Sequence, residues 1–381
     1  MSGPKNITLI VNQLYDGGAA RVAVHLANAW AERDRQVLIL TTDLGQDAPF
    51  YPLHPRVAHR AMDLRAVSRN PLEAVGRNVS RLLQVRRAIR SSRPDLLVSF
   101  LDRNNILCLL ATRGLRNLPT IISERTDPHG RSIGSAWELL RRLSYPWADC
   151  LVTQSAHAMA YFSASVRDRG RVIPNPVYRP PAATPGNGRP ARPRILALGR
   201  LHRVKGHDLL VDAFALVAHL FPDWELRIHG DGPERDSLQA RIQAHGLADR
   251  ITLGPNIADV GSSLRDAELF VLPSRVEGFP NALAEAMAWG LPVISFDCAS
   301  GPAELIRHEW DGLLVPPLDV PALAGAMSRL MADPGERARL AGRAAEVLTR
   351  FSAGSIMDLW ESAIQSAMGS SAHSGHGGGS P

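Results

Sequence analysis

Residues 195–217 read ILALGRLHRVKGHDLLVDAFALV and contain the unit from which the rest of the chain is built. Ile195 to Leu198 is a short apolar run, Gly199 ends it, and an amphipathic stretch begins near Lys205. Such a run predicts a buried strand, and the apolar spacing after it predicts a helix. We therefore expect a strand, a short cationic loop and a helix.

The same alternation continues through both halves of the chain. The strand-like runs of the first half are Ile7 to Val11, Val37 to Thr41, Leu96 to Phe100, Thr120 to Ser123 and Cys150 to Thr153. Those of the second half are Ile195 to Leu198, Glu225 to Ile228, Ile251 to Leu253, Leu269 to Leu272 and Pro292 to Phe296. Apolar strands separated by helices are typical of parallel sheets covered on both faces. The predicted fold class is α/β, with two doubly wound parallel-sheet domains facing each other across a cleft.

A proline-rich segment separates the halves. Residues 178–193 read YRPPAATPGNGRPARP, a composition that disfavours both helix and strand. We assign residues 1–178 to an N-terminal domain, 179–193 to a linker and 194–350 to a C-terminal domain.

The end of the chain is predicted to differ from both domains. Residues 351–368 read as a helix that could pack back on the N-terminal domain, with Ile356, Leu359, Trp360 and Ile364 on one face. Residues 369–381 are rich in Gly, Ser and His and are predicted to be disordered.

Composition excludes several classes of protein. Of 381 residues, 45% are hydrophobic and 21% are charged, which is ordinary for a globular protein and unlike a collagen or a disordered chain. No run approaches the ~20 apolar residues of a membrane-spanning helix. The three cysteines have no metal-ligand spacing, so we expect inert thiols in a reducing cytoplasm.

Charge is distributed unevenly. Residues 1–185 contain 25 Lys and Arg against 14 Asp and Glu, whereas the remaining residues contain 18 against 23. A basic first half suggests an anionic partner. Only two of the 43 basic residues are lysines, Lys5 and Lys205. A lysine in an Arg-rich chain is a candidate for placing a compact charge on a phosphate.

Two loops carry the features of an anion site. Gly17 and Gly18 stand where the first strand turns into the next helix, and paired glycines permit close approach of a ligand to the backbone. Arg200 and Lys205 stand in the corresponding loop of the second half. We expect these two cations to clamp phosphate groups.

Two carboxylates stand eight residues apart after the strand Leu269 to Leu272. Glu277 precedes a predicted helix, Ala282 to Trp289, and Glu285 lies within its apolar sequence. A carboxylate on a core-facing helix is costly without a partner, and carboxylates accept hydrogen bonds from diols. Sugar or ribose hydroxyls are therefore the expected ligands.

The stretch EGFPNALAEAMAWGLPVISFD, which begins at Glu277, resembles the E-x7-E region of retaining glycosyltransferases of family 4, which have the GT-B fold. It is similar to a subgroup that builds bacterial surface glycans. NQLYDGGAARVAVHLAN, LALGRLHRVKGHDLLVDAF, IPNPV, HGDGPE and DGLLVPPLD resemble the same subgroup, in the same order. The resemblance extends to about Leu359.

The resemblance implies a role for each matching residue. Glu285 would hold the ribose of the donor nucleotide, Glu277 a hydroxyl of the transferred sugar, and Arg200 with Lys205 the diphosphate. The backbone amides of Gly17, Gly18 and the segment Phe279, Pro280, Asn281 and Ala282 would complete the phosphate site. Gly230 and Asn175, in the matching HGDGPE and IPNPV segments, are further substrate-binding candidates.

Many relatives carry a histidine after the strand that corresponds to Thr120 to Ser123. Here Glu124 stands at about that place and His129 follows five residues later. Both are candidates for a catalytic polar group.

The resemblance also implies a reaction and its partners. The enzyme would transfer a sugar, with retention, from a nucleotide sugar (UDP-GalNAc, UDP-galactose or UDP-glucose favoured) to a glycan acceptor, lipid-linked or soluble. The nucleotide sugar is a co-substrate, and no cofactor or metal is expected, since the two cations replace one and no Asp-x-Asp occurs. We further expect reversible attachment to the anionic inner face of the cytoplasmic membrane through Arg86, Arg87, Arg90 and Arg93, with Arg141 and Arg142 as additional candidates.

Three alternatives remain. A nucleotide-sugar epimerase could share the fold, because fold does not fix function. A mannosyltransferase would use GDP-mannose instead. A nucleic-acid-binding protein could use the arginines between Arg81 and Arg93, although no aromatic residues are interleaved with them and no nucleic acid is expected.

Overall fold

The computed structural model describes residues 3–15, 17–64, 71–115, 118–130, 132–180, 192–256 and 260–373. It contains two compact units. The first unit comprises Met1–Asn175 and Gly354–Pro381, and the second comprises Pro176–Ala353. Most of the predicted linker, residues 181–191, lies outside the described residues, as do residues 374–381 of the predicted tail.

The first unit is built on a parallel sheet of seven strands. The strands are β1 (Asn6–Val11), β2 (Gln36–Thr41), β3 (Val57–Ala61), β4 (Leu96–Phe100), β5 (Thr120–Ser123), β6 (Cys150–Thr153) and β7 (Gly170–Val172). Their order is β3-β2-β1-β4-β5-β6-β7. The order reverses beside β1, so the loops after β1 and β4 diverge at the carboxyl edge, where α/β sheets bind ligands.

Helices cover both faces of this sheet. They are α1 (Gly18–Glu32), α2 (Pro71–Ser92), α3 (Asp102–Thr112), α4 (Ser135–Ser144), α5 (Ala156–Ala160) and α6 (Ala164–Arg167). Both faces of the central strands are buried, which is why they read as continuous apolar runs rather than as alternating ones.

The second unit has a parallel sheet of six strands. The strands are β8 (Arg194–Leu198), β9 (Glu225–His229), β10 (Ile251–Gly254), β11 (Leu269–Leu272), β12 (Val293–Phe296) and β13 (Leu313–Val315), in the order β10-β9-β8-β11-β12-β13. Its helices are α7 (His207–Val217), α8 (Arg235–Ala244), α9 (Val260–Arg265), α10 (Asn281–Ala288), α11 (Pro302–Leu305), α12 (Val320–Ala332), α13 (Pro334–Ala344) and α14 (Val347–Arg350). The two parallel sheets confirm the predicted α/β class.

The last helix, α15 (Ala353–His373), belongs to the first unit although the second unit precedes it in the chain. Ile356, Trp360 and Ile364 are buried in the core that the sheet forms with α1. Leu359 is 43% exposed, so its predicted place on the buried face is wrong. The helix also continues five residues beyond its predicted end, so residues 369–373 are helical rather than disordered.

Three strands, β3, β7 and β13, were not predicted from the sequence. In β3 exposed and half-buried residues alternate after Val57, and β7 and β13 have only three residues each. Short runs and runs with polar residues at alternate positions lack the continuous apolar pattern that marks the central strands. No helix in the described ranges is both long and apolar enough to cross a bilayer.

Candidate active site

The cationic loop of the second unit follows β8 and is fixed by two local features. A 3-10 helix spans Arg203–Lys205, and the side chain of His202 accepts a hydrogen bond from the Val204 amide at its start. Gly206 ends it with φ 67°, and a Cβ there would lie 1.9 Å from the Pro273 carbonyl oxygen. Only glycine permits this approach, which holds the loop against the end of β11.

Lys205 and Glu277, which are 72 positions apart, form one ion pair. The Lys205 Nζ lies 2.6 Å from Glu277 Oε1, and the Ser274 Oγ donates to the same oxygen at 2.6 Å. The Glu277 side chain is only 6% exposed, so its charge depends on these two donors. The structure therefore brings together the predicted phosphate-binding cation and the predicted sugar-binding carboxylate.

A second ion pair fixes the base of the same loop. Arg275 donates to both carboxylate oxygens of Asp208, at 2.7 and 2.6 Å, and to the carbonyl of Arg203 at 2.7 Å. This bidentate pair ties the first turn of α7 to the loop after β11. Sequence reasoning missed Ser274, Asp208 and Arg275, although a polar side chain two residues after the end of β11 was the available signal for Ser274.

Arg200 lies on the exposed part of the loop, directly after Gly199. Gly230, on the loop after β9, packs against it: a Cβ at Gly230 would lie 2.0 Å from the Gly199 carbonyl oxygen. This close contact explains why position 230 is a glycine, and no bound ligand is needed to explain it. Gly230 thus shapes the cationic loop.

Helix α10 begins at Asn281, one residue earlier than predicted, and the geometry of its start changes the expected phosphate contacts. Pro280 is its N-cap and has no amide hydrogen, and the Asn281 amide donates to the Phe279 carbonyl at 3.0 Å. These two positions therefore cannot supply the predicted amides. Ala282 remains in the first helical turn, where backbone N–H groups have no partner within the helix.

Glu285 is half-buried on α10, between the buried Ala284 and Ala286. Glu277 precedes the start of α10, as predicted, so the two carboxylates do not lie on one continuous helix. Phe279, between them, is 7% exposed and packs edge-on against Phe351, with ring centroids 6.1 Å apart. Its side chain anchors the loop in the core.

In the first unit, Gly17 and Gly18 lie exposed at the start of α1. Gly17 has φ 100°, and a Cβ there would meet no atom within 4 Å. The need for glycine at position 17 is thus conformational rather than steric.

A polar cavity of about 350 Å³ opens at the carboxyl edge of the first sheet. Its lining includes Asn12 after β1 and residues 101–104 after β4, and the Asn104 side chain donates to Asn12 Oδ1 at 2.8 Å. Leu101 has φ 77° and ψ 148°, a backbone conformation that is costly for any residue except glycine. Strain of this kind concentrates at ligand sites, and this cavity is the candidate acceptor site.

Glu124 lies in the interior rather than in a cavity. It is 2% exposed, accepts a hydrogen bond from the Tyr145 hydroxyl and lies 3.9 Å from Arg141 Nη1. Burial raises the pKa of Glu124 to about 7, although the Tyr145 hydrogen bond and the Arg141 charge oppose the shift. The structure shows this carboxylate enclosed, and its role as a catalytic group stays a prediction.

Asn175 is also enclosed. It is 3% exposed, and its Oδ1 accepts hydrogen bonds from Arg125 and from Gln154 Nε2, the latter at 2.9 Å. Its amide oxygen fixes the buried Arg125, and the role of Asn175 in substrate binding stays a prediction. His129, in contrast, is 40% exposed at the side chain and lies 3.2 Å from Asp127.

The predicted membrane-facing arginines divide into two groups. Arg87, Arg90, Arg93 and Arg142 are exposed. Arg141 is 3% exposed and paired with Glu138, and Arg86 donates to the carbonyls of Ala111 and Arg113 at 2.6 and 2.8 Å. The prediction is wrong for Arg141, and Arg86 ties α2 to the end of α3.

Two known families match the chain, one in each unit. Residues 17–177 match the family described as glycosyl transferase 4-like domain, and residues 192–333 match glycosyl transferases group 1.

Curated relatives show the same resemblance. The chain is 28% identical to the GalNAc-alpha-(1->4)-GalNAc-alpha-(1->3)-diNAcBac-PP-undecaprenol alpha-1,4-N-acetyl-D-galactosaminyltransferase of Campylobacter jejuni, over 93% of this chain and 96% of that protein. It is 35% identical to an exopolysaccharide phosphotransferase of Streptomyces coelicolor, over 73% of this chain but only 29% of that longer protein.

Among solved structures, HepE from Anabaena in complex with UDP and glucose has a TM-score of 0.76 at 18% identity, covering 94% of this chain and 99% of its own. At this identity the likeness shows a shared fold.

Proposed function

The chain belongs to the GT-B glycosyltransferases that join a glycosyl transferase 4-like domain to a group 1 domain, and from this we propose that it is a retaining enzyme that uses a UDP-sugar. The favoured donors are UDP-GalNAc and UDP-hexoses, and the favoured acceptor is a polyprenyl-diphosphate-linked glycan. The observation that carries the proposal is the Lys205–Glu277 pair at the carboxyl edge of the second sheet.

The pair suits a donor that has a diphosphate beside a sugar. Lys205 places a compact positive charge where the leaving diphosphate would develop negative charge, and Arg200 lies in the same loop. Glu277, oriented by Ser274 and Lys205, can accept a hydrogen bond from a sugar hydroxyl. We propose that Glu285, which is half-buried on α10, holds the ribose.

A front-face mechanism follows from these roles. The bond between the anomeric carbon and the β-phosphate oxygen breaks, Lys205 and Arg200 stabilise the departing oxygen, and that oxygen takes the proton of the acceptor hydroxyl. The acceptor then attacks from the face that the diphosphate leaves, which retains the configuration. No described side chain needs to act as a covalent nucleophile in this reaction.

The acceptor assignment rests on the Campylobacter jejuni relative, which matches almost the whole chain. That protein is named for transfer to a glycan on polyprenol diphosphate. The polar cavity of the first unit, with Asn12 and Asn104 in its lining, offers hydrogen-bond partners for glycan hydroxyls.

Attachment to a membrane is supported by exposed apolar residues beside exposed cations. Leu139 and Leu143, one turn apart on α4, are 57% and 56% exposed, and Trp147 follows at 37%. Arg142 is exposed on the same helix. We propose that this surface of α4, together with Arg87 and Arg90 on α2, rests on anionic lipid.

A transfer assay tests the reaction. The purified protein is incubated in chelator with UDP-GalNAc, UDP-galactose, UDP-glucose or GDP-mannose, with and without a polyprenyl-diphosphate-linked glycan, and nucleotide release and the anomeric configuration of the product are recorded. We expect acceptor-dependent release of UDP and an α-linked product from an α-linked donor. Conversion of the nucleotide sugar without an acceptor would identify an epimerase, and inversion would refute the front-face mechanism.

A further inference from the structure

Three metal-ligating side chains converge at the carboxyl edge of the first sheet. Asp127 and His129 lie on the loop after β5, and His157 lies in α5, after the neighbouring strand β6. One ligand atom from each lies within 4.8 Å of the other two. These residues have no part in the proposed donor site, which belongs to the second unit.

The separations between these atoms match a shared metal ion. Asp127 Oδ1 lies 3.2 Å from His129 Nδ1, and Asp127 Oδ2 lies 3.6 Å from His157 Nε2. Bonds of 2.0–2.1 Å at a tetrahedral angle place neighbouring ligand atoms about 3.3–3.4 Å apart. The two separations, which involve different oxygens of the Asp127 carboxylate, are each close to that edge length.

One of the three ligand atoms lacks a hydrogen-bond partner. His157 Nε2 is shielded from solvent and has no hydrogen-bond partner within the described ranges, although it faces the Asp127 carboxylate. A buried polar atom is normally paired, and a metal ion at this point would pair it. The His129 amide donates to Asp127 Oδ1 at 3.1 Å and so holds the carboxylate in place.

We propose that Asp127, His129 and His157 bind one divalent transition-metal ion, of which Zn²⁺ fits the ligands best. Two imidazole nitrogens and one carboxylate oxygen suit zinc, whereas magnesium and calcium prefer oxygen ligands alone. The two imidazole side chains are 40% and 37% exposed, so the cluster lies near the surface of the first unit. Sites with three protein ligands and an open position can take water or a substrate oxygen.

The second unit contains a similar aspartate–histidine pair that is not arranged to bind a metal ion. Asp212 lies 3.0 Å from His245 Nε2, but its other close neighbour is Arg241, at 2.6 Å. A guanidinium has no lone pair to offer a metal. His245→Ala is therefore the control for removal of a histidine beside an aspartate.

The test measures metal binding in the full-length, untagged protein after chelator treatment. All proteins carry His373→Ala and His376→Ala, which remove the histidines of the C-terminal tail. Zn²⁺ is titrated by calorimetry into the parent, Asp127→Asn, His157→Gln and His245→Ala, and Co²⁺ into the parent and Asp127→Asn with the visible spectrum recorded. Circular dichroism in chelator confirms folding.

We expect one Zn²⁺ per parent chain and one per His245→Ala chain, with intense tetrahedral Co²⁺ bands in the parent. Loss of one ligand should weaken Zn²⁺ binding at least about 100-fold, since even an outer partner can contribute 10- to 100-fold. Absence of Zn²⁺ binding at micromolar concentration, or unchanged binding in Asp127→Asn and His157→Gln, would overturn the proposal. If Asp127→Asn or His157→Gln fails to fold, the variant that does fold is used for the test, and His129→Gln replaces the one that does not. None of these readings depends on sugar transfer.

Discussion

At the scale of single residues, the proposed function depends on the ion pair between Lys205 and Glu277. Removing Lys205 leaves a 6%-exposed carboxylate without its cation and takes a positive charge from the proposed diphosphate site. We expect Lys205→Ala to lower kcat roughly 10²–10³-fold, the range seen when a charge-stabilising donor is lost. Lys205→Arg should lose less, since charge remains but the compact geometry does not.

Arg203→Ala is the matched control for this experiment, since Arg203 is an exposed cation two positions away in the same loop. Its side chain should be dispensable for steady-state turnover. Wild-type turnover in Lys205→Ala would refute the diphosphate role.

The pH dependence of the unfolding free energy tests the raised pKa of Glu124. Its pKa of about 7 in the folded protein, raised by burial, exceeds the ordinary value of 4.5. The folded state therefore binds the proton more tightly, and this contribution to stability is complete below pH 4.5 and lost as pH rises through 7. We expect Glu124→Gln to gain stability relative to wild type between pH 4.5 and 8.5, on the order of 2–3 kcal/mol. Urea unfolding at both pH values measures it.

Glu138 is a control because its pKa is shifted in the opposite direction. Burial opposes the shift, but the Ile133 amide and Arg141 together lower the pKa of Glu138. The stability that ionised Glu138 contributes is therefore present above pH 4.5 and lost as pH falls below it, so Glu138→Gln should show no gain relative to wild type between pH 4.5 and 8.5. Parallel pH profiles for wild type and Glu124→Gln would contradict the assignment of a raised pKa to Glu124.

The residue scale also shows what the sequence could and could not predict. Lys205 stood out because lysine is rare in this chain, and Glu285 because a carboxylate in an apolar helix needs a reason. The sequence could not show that Glu124 and Asn175 are enclosed, because burial depends on neighbours far along the chain, such as Tyr145 and Arg125. Pairing of Lys205 with Glu277 likewise depends on which strands are adjacent.

At the scale of elements, α15 supplies a large part of the first unit's core from the far end of the chain. Trp360 is fully buried between Trp30 and Phe100, at centroid distances of 6.4 and 6.1 Å. Arg35 also donates to both Glu361 oxygens, at 2.8 and 2.7 Å. The helix was predictable from its periodicity, whereas short or alternating strands such as β3 and β7 were not.

Trp360→Ala should therefore destabilise the first unit by about 3–5 kcal/mol, the usual cost of removing a buried Trp. Leu359→Ala, at the neighbouring exposed position, should change stability by about 0.5 kcal/mol or less. Denaturant unfolding followed by tryptophan fluorescence compares the two variants. Equal effects would show that α15 does not pack on this face.

At the scale of the whole molecule, charge and exposed apolar residues predict reversible attachment to anionic membranes. Wild-type protein should float with vesicles that contain anionic lipid, should not float with neutral vesicles, and should be released by salt. Replacing Leu139 and Leu143 by Asn should reduce flotation. Replacing Leu216 and Leu220, an equally exposed pair in the second unit, should not. Flotation with neutral vesicles, or no flotation with either kind of vesicle, would refute the proposal that this surface binds anionic lipid.

The central claim is that the second unit binds a nucleoside diphosphate through Glu285 and the cationic loop. Calorimetric titration of UDP and GDP in the presence of chelator tests this claim most directly. The titrated proteins are wild type, Glu285→Gln and the control Glu268→Gln, whose residue lies at the amino end of β11. We predict one UDP per wild-type chain and per Glu268→Gln chain, and affinity reduced about 10- to 100-fold in Glu285→Gln, since hydrogen bonds to a charged group contribute about 1.5–3 kcal/mol. No binding of either nucleotide, or equal affinity in all three proteins, would contradict the account.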